Sequence, residues 1–134
     1  MSTLFPCQET SVSNQPPPTV YIVDDEQIIV STLVAILKLS GFTPFGFVNP
    51  LEALRGSESD DPALLIADVV MPHMTGIELA IQVKSKYPKC KVLLFSGRTI
   101  SADLIEEANK AGHNFALLAK PVHPTELLAT LKRL

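Results

Sequence analysis

At 134 residues, 46% hydrophobic and 19% charged, the chain is one domain's worth of sequence and long enough to bury a core without disulfide or metal staples. Its net charge of −3 argues against a nucleic-acid-binding surface and is too small to suggest disorder. No apolar run approaches the roughly 20 residues that cross a bilayer, and Met1–Thr19 has neither the basic nor the apolar stretch of a secretory signal, so the chain is expected in the cytoplasm, with no membrane contact.

Residues 1–18 are rich in Ser, Thr, Gln and Pro and end in Pro16-Pro17-Pro18, a composition that cannot bury a core and predicts a flexible tail. Of the two cysteines, Cys7 lies in that tail and Cys90 opens a strand-like run. The pair lacks metal-ligand spacing and reads as free thiols in a reducing compartment. From Thr19 onward, apolar runs alternate with helical patterns. Val20-Tyr21-Ile22-Val23 is continuous, as a strand covered on both faces requires, and it stops at Asp24-Asp25-Glu26. Ile28, Ile29, Leu33, Ile36 and Leu37 then recur at helical spacing up to Gly41, a C-terminal stop. Phe42–Phe47 follows as a strand whose Pro44 argues for a sheet edge. Asn49 can cap a short helix that starts at Pro50. Ala63–Ala67 is a third strand ending at Asp68, and a Pro- and Gly-containing loop leads to a helix over Gly76–Tyr87. Lys91–Phe95 is a fourth strand ending at Ser96-Gly97, with a helix over Ser101–Ala111 and then Gly112. A fifth strand lies within Phe115–Ala119 and ends at Lys120-Pro121. The last helix spans Pro124–Leu134, where Lys132 and Arg133 complement its dipole.

Strict strand–helix alternation means a parallel sheet with helices on both faces. In doubly wound sheets of this kind, ligands bind beyond the carboxyl ends of the strands. Those ends carry Asp24 and Asp25, Asp68, Ser96 and Lys120, which should converge on one crevice. Three carboxylates at close range repel one another unless one is protonated or a cation neutralises them. A hard divalent ion with oxygen ligands is the natural solution, and Mg²⁺ suits a shallow site that keeps some of its waters. A lysine beside it can pair with a phosphoryl oxygen, a serine hydroxyl can donate to another, and a carboxylate can act as the nucleophile.

The motifs at these ends are Val23-Asp24-Asp25-Glu26, Asp68-Val69-Val70-Met71-Pro72-His73-Met74-Thr75-Gly76, Ser96-Gly97 and Lys120-Pro121. In this order they resemble the receiver domain of bacterial two-component response regulators, over about Thr19–Leu134, with residues 1–18 left as the tail. The resemblance implies a doubly wound five-stranded parallel sheet in the flavodoxin-like order 2-1-3-4-5. It implies that Asp68 is the phosphoacceptor, that Asp24, Asp25, Asp68 and the main-chain carbonyl of Val70 hold Mg²⁺ or Mn²⁺, and that Ser96 and Lys120 contact the phosphoryl group. Pro121 would follow a cis peptide. The implied donor is a sensor histidine kinase or a histidine phosphotransfer protein. The implied output is a changed binding surface, formed by the helix over 101–111, the fifth strand and the last helix, for a downstream protein the sequence does not name. Direct nucleic-acid binding is not expected, and the protein would be a monomer or weak homodimer. No enzymatic activity is implied beyond promoting its own phosphorylation and slow autodephosphorylation.

The family usually has an aromatic residue on the fifth strand that moves together with the hydroxyl residue. Counting back from Lys120 places Leu117 there, with Phe115 the nearest aromatic. Val70 and Arg98, two residues beyond Asp68 and Ser96, offer no obvious aid to a hydrolytic water, which is why dephosphorylation is expected to be slow. Read singly, Asp24 and Asp25 are ordinary helix caps, Lys120 a solvated charge, Met71 and Met74 loop packing, and His73 an exposed loop residue. The competing functions are a pseudo-receiver that binds protein without phosphorylation and a flavodoxin-like cofactor binder or phosphatase. A pseudo-receiver typically loses the acid pair, the acceptor or the lysine, all present here. A flavin phosphate would want a Gly/Ser/Thr-rich loop where Asp24-Asp25-Glu26 stands. No DNA-binding or enzymatic segment follows the last helix, so the sequence reads as a stand-alone receiver or as part of a longer protein.

Overall fold

Each apolar run identified in the sequence becomes a strand of one parallel sheet. The computed structural model describes residues 17–56, 61–96, 106, 115–120 and 123–133. Residues 1–16 with Cys7, Gly97, Arg98, the 101–111 segment apart from the helical Glu106, Gly112, His113 and Pro121 lie outside the described residues. The strands are β1 (Thr19–Val23), β2 (Thr43–Phe47), β3 (Leu64–Asp68), β4 (Lys91–Ser96) and β5 (Ala116–Ala119). Their spatial order is β2-β1-β3-β4-β5, every pair parallel, which is the expected 2-1-3-4-5 order. Pro44 lies on β2, an outer strand, where its missing N–H costs no ladder bond.

The period-2 alternation of the strands divides the core in two. Tyr21, Val23, Leu65, Ala67, Val92 and Leu94 pack against α2 (Pro50–Gly56) and α3 (Gly76–Lys86). Val20, Ile22, Leu64, Ile66, Leu93 and Phe95 pack against α1 (Gln27–Leu39) and α4 (Pro124–Arg133). All five residues of β3 are buried, so the strand that ends in Asp68 is fixed from both sides. Each fully buried Leu, Ile or Val contributes about 1.5–3 kcal/mol.

Local chemistry sets where the helices begin and end. Gly41 takes φ 92°, the left-handed conformation that suits glycine. The Phe42 N–H then reaches the Leu37 carbonyl at 3.0 Å and the Gly41 N–H the Lys38 carbonyl at 3.3 Å, a Schellman closure of α1. Asn49 Oδ1 accepts from the Leu51 N–H at 2.9 Å and so caps α2. Thr75 and Glu78 form a capping box at α3. Among the described residues, no helix is long and apolar enough to cross a membrane.

Candidate functional site

The sheet register carries the strand-end residues to one crevice. Asp24 follows β1, Asp68 ends β3, Ser96 ends β4, and Lys120 follows β5. The ladder continues past the strands and fixes the backbones of these residues: Asp24 N–H donates to Phe47 O at 3.1 Å, Val69 N–H to Phe95 O at 2.8 Å, and Lys120 N–H to Ser96 O at 2.8 Å. Buried among the described polar residues are Asp24, Asp68, Ser96 and Thr130, so three of the four sit in this crevice. Burying a charge is costly unless it is paired, and the pairing here is specific.

Lys120 Nζ lies 2.9 Å from Asp24 Oδ2 and 2.8 Å from Asp68 Oδ2, bridging the two acids. The other oxygen of each acid faces the main chain. Asp24 Oδ1 accepts from the Glu26 N–H at 2.9 Å, and Asp68 Oδ1 accepts from the Val70 N–H at 3.2 Å. Burial pulls the Lys120 ammonium toward losing its proton. Its hydrogen bonds to Asp68 and Asp24, and their charges, prevail and hold its pKa above the ordinary 10.5. Asp25 is exposed at the rim. Carboxylate oxygens of Asp24, Asp25 and Asp68 lie within 4.8 Å of one another, an all-oxygen donor set of the kind hard divalent cations take. Ser96 Oγ is buried and has no hydrogen-bond partner among the described residues.

The residues singled out in the sequence thus separate cleanly. Asp24, Asp25, Asp68 and Lys120 meet, Ser96 lies on the neighbouring strand end, and Val70, 64% exposed, occupies the loop beside Asp68. Met71 is buried in the α2/α3 core and Met74 packs beside it, as loop packing requires. His73 is exposed, with φ 75°, as expected for a loop residue. Leu117 pairs in register with Leu94 and is 38% exposed, and Phe115, two residues earlier, packs on the α2/α3 core. The position three before the lysine is therefore aliphatic. Sequence reasoning missed Glu26 as a site residue: its Oε1 stands 3.9 Å from Lys120 Nζ. The available signal was its place directly after the acid pair.

Residues 20–132 match the response regulator receiver domain family, and the chain belongs to that family of two-component signalling proteins. It is 32% identical over 116 residues to the transcriptional regulatory protein CreB of Escherichia coli, spanning 87% of this chain and 50% of CreB. It is 34% identical over 105 residues to a cyclic di-GMP phosphodiesterase of Thermotoga maritima, spanning 78% of this chain and 27% of that protein. Among solved structures, a CheY-like receiver domain protein of Methanospirillum hungatei superposes with a TM-score of 0.80 at 27% identity, over 87% of this chain and 92% of that one. Chemotaxis protein CheY4 of Vibrio cholerae gives 0.78 at 28%, over 87% and 98%. The chain thus covers nearly all of these receiver structures and half or less of the curated relatives' length.

Proposed function

We propose that this receiver is the phosphorylation-controlled switch of a two-component phosphorelay, with Asp68 as the phosphoacceptor. The observation that carries this reading is the convergence of Asp24, Asp25, Asp68 and Lys120 on one point, beside the buried hydroxyl of Ser96, which has no hydrogen-bond partner among the described residues. The acid pair, acceptor and lysine whose loss marks a phosphorylation-independent binding module are all in place.

The three aspartates, with the main-chain carbonyl of Val70, would hold Mg²⁺ or Mn²⁺. Once bound, such an ion neutralises charge on a transferring phosphoryl group. A carboxylate oxygen of Asp68 forms a bond to the phosphorus of a phosphohistidine on a sensor kinase or phosphotransfer protein. The phosphorus–nitrogen bond breaks, and its electron pair returns to the imidazole nitrogen. Lys120, already on Asp68, pairs with a phosphoryl oxygen. Ser96 Oγ donates to another. Because Ser96 and Lys120 are joined through the β4–β5 main chain, their adjustment reshapes the face that β5 and α4 offer to a downstream protein. Val70 supplies no acid or base for a hydrolytic water, so the chain promotes its own phosphorylation and only slow dephosphorylation. The cytoplasm, where sensor kinases present their phosphohistidine, is the location this chemistry requires.

The test is incubation with acetyl phosphate and Mg²⁺, read by intact mass. A phosphoryl adduct is expected that disappears with Asp68→Asn and with chelator. Folded, Mg²⁺-binding protein that gains no adduct would overturn the reading. Decay of the purified adduct within seconds would contradict the slow turnover.

A further inference from the structure

Lys120 touches two of the three aspartates that can hold a divalent cation, and it takes from Asp24 and Asp68 the oxygens that the main chain leaves open. An ammonium and a dication cannot both draw fully on the same two carboxylates, since like charges at such range repel. Among the described residues, Lys120 has one further acid within 4.0 Å. Glu26 Oε1 lies 3.9 Å away, on a side chain that is 64% exposed and so free to move closer. Glu26 is also the N-cap residue of α1, yet its side chain makes no capping hydrogen bond, so that carboxylate serves no helix-end role. It also stands outside the three-aspartate donor set.

We propose that Glu26 is a positioning residue for Lys120. When the aspartates hold a divalent cation, Lys120 passes from Asp24 to Glu26 and keeps its bond to Asp68. Glu26 thereby keeps the ammonium at the mouth of the site, in reach of an incoming phosphoryl group, and lowers the cost of releasing Asp24. This rests on the metal-dependent reading of the site given above.

The experiment measures Mn²⁺ binding to the full chain by the electron paramagnetic resonance signal of free Mn²⁺, with no phosphoryl donor present. Glu26→Gln weakens Mn²⁺ binding about two- to fivefold, the range an exposed ion pair supports. Glu26→Asp, which keeps the charge and shortens the reach, weakens it equally. In a Lys120→Met background Glu26→Gln has no effect. Equal weakening by Glu26→Gln with and without the lysine, or full affinity with Glu26→Asp, would show Glu26 acting on the cation by its charge alone and would overturn the proposal. So would no effect in the parent chain. Should the Lys120 variant fail to fold, the Gln and Asp pair at position 26 still decides. Absence of Mn²⁺ binding by the unmodified chain would instead remove the metal-dependent reading itself, a separate outcome.

Discussion

Replacing Lys120 by Met keeps most of the side chain's bulk and removes its charge, leaving Asp24 and Asp68, 1% and 7% exposed, without their shared counter-ion. Removing one partner of a buried ion pair costs about 3–5 kcal/mol. The lysine side chain retains 19% exposure, and each acid keeps one main-chain N–H donor, so the lower end applies. The expected loss is about 3 kcal/mol at neutral pH without divalent ions, or roughly 10 °C in Tm for a domain of this size. Guanidinium unfolding followed by circular dichroism, in chelator, measures it. Saturating Mg²⁺ should restore much of the loss by supplying the missing positive charge. The sign of the pH dependence follows from the raised pKa of Lys120: its contribution is full below the ordinary 10.5 and is lost only as pH rises through the higher folded value. The gap between parent and variant is therefore flat with respect to the lysine from about pH 6 to 9. A variant within about 1 kcal/mol of the parent in chelator would refute the reasoning, because the two acids would then tolerate each other unaided.

Other positions test the scaffold that supports the site. A Cβ at Gly76 would overlap the carbonyl oxygen of Asp68, so Gly76→Ala forces α3 off the end of β3 and costs about 1–3 kcal/mol by urea unfolding; a change below about 0.5 kcal/mol would mean that the helix start yields freely. Thr75→Ala removes one half of the capping box and costs about 1 kcal/mol, and unchanged stability would show the box to be idle. Burial raises the Cys90 thiol pKa to about 11, with the charge of Lys84 opposing in part. In a Cys7→Ser background the folded chain should resist iodoacetamide near pH 8 and react only once unfolded. The same thiol costs stability as pH climbs from 9.0, where the unfolded chain begins to release the proton, toward 11. Rapid alkylation of the folded protein would contradict this burial.

Much of the architecture could be read from residue patterning, because its signals were local. Val20–Val23 and Leu64–Ala67 lie in continuous apolar runs, and the structure buries them on both faces. Gly41, Asn49 and Pro50 announced the helix ends where the backbone uses them. Pro44 announced the edge strand. The site was legible for the same reason: each polar residue directly follows an apolar run, and parallel topology carries all such ends to one side. What sequence could not supply was the pairing within the crevice. That Lys120 bridges Asp24 and Asp68, rather than facing water, depends on contacts 96 and 52 residues apart. Glu26 escaped notice because an acid at the N-terminal end of a helix usually needs no explanation beyond the helix dipole. The place of Leu117 was fixed only by the Leu94↔Leu117 register, a long-range fact.

The acids and the lysine are not mounted equally. Asp24 directly follows β1 and Asp68 ends β3, strands that each lie between two neighbours, whereas Lys120 leaves an outer strand of four residues bonded to β4 alone. The two acids of the crevice are thus held by inner strands and its cation by an outer one with a single neighbour. Leu117, three residues before the lysine and open to solvent, lies on that same short strand. Any displacement of Leu117 would therefore be felt at Lys120, because one piece of backbone carries both.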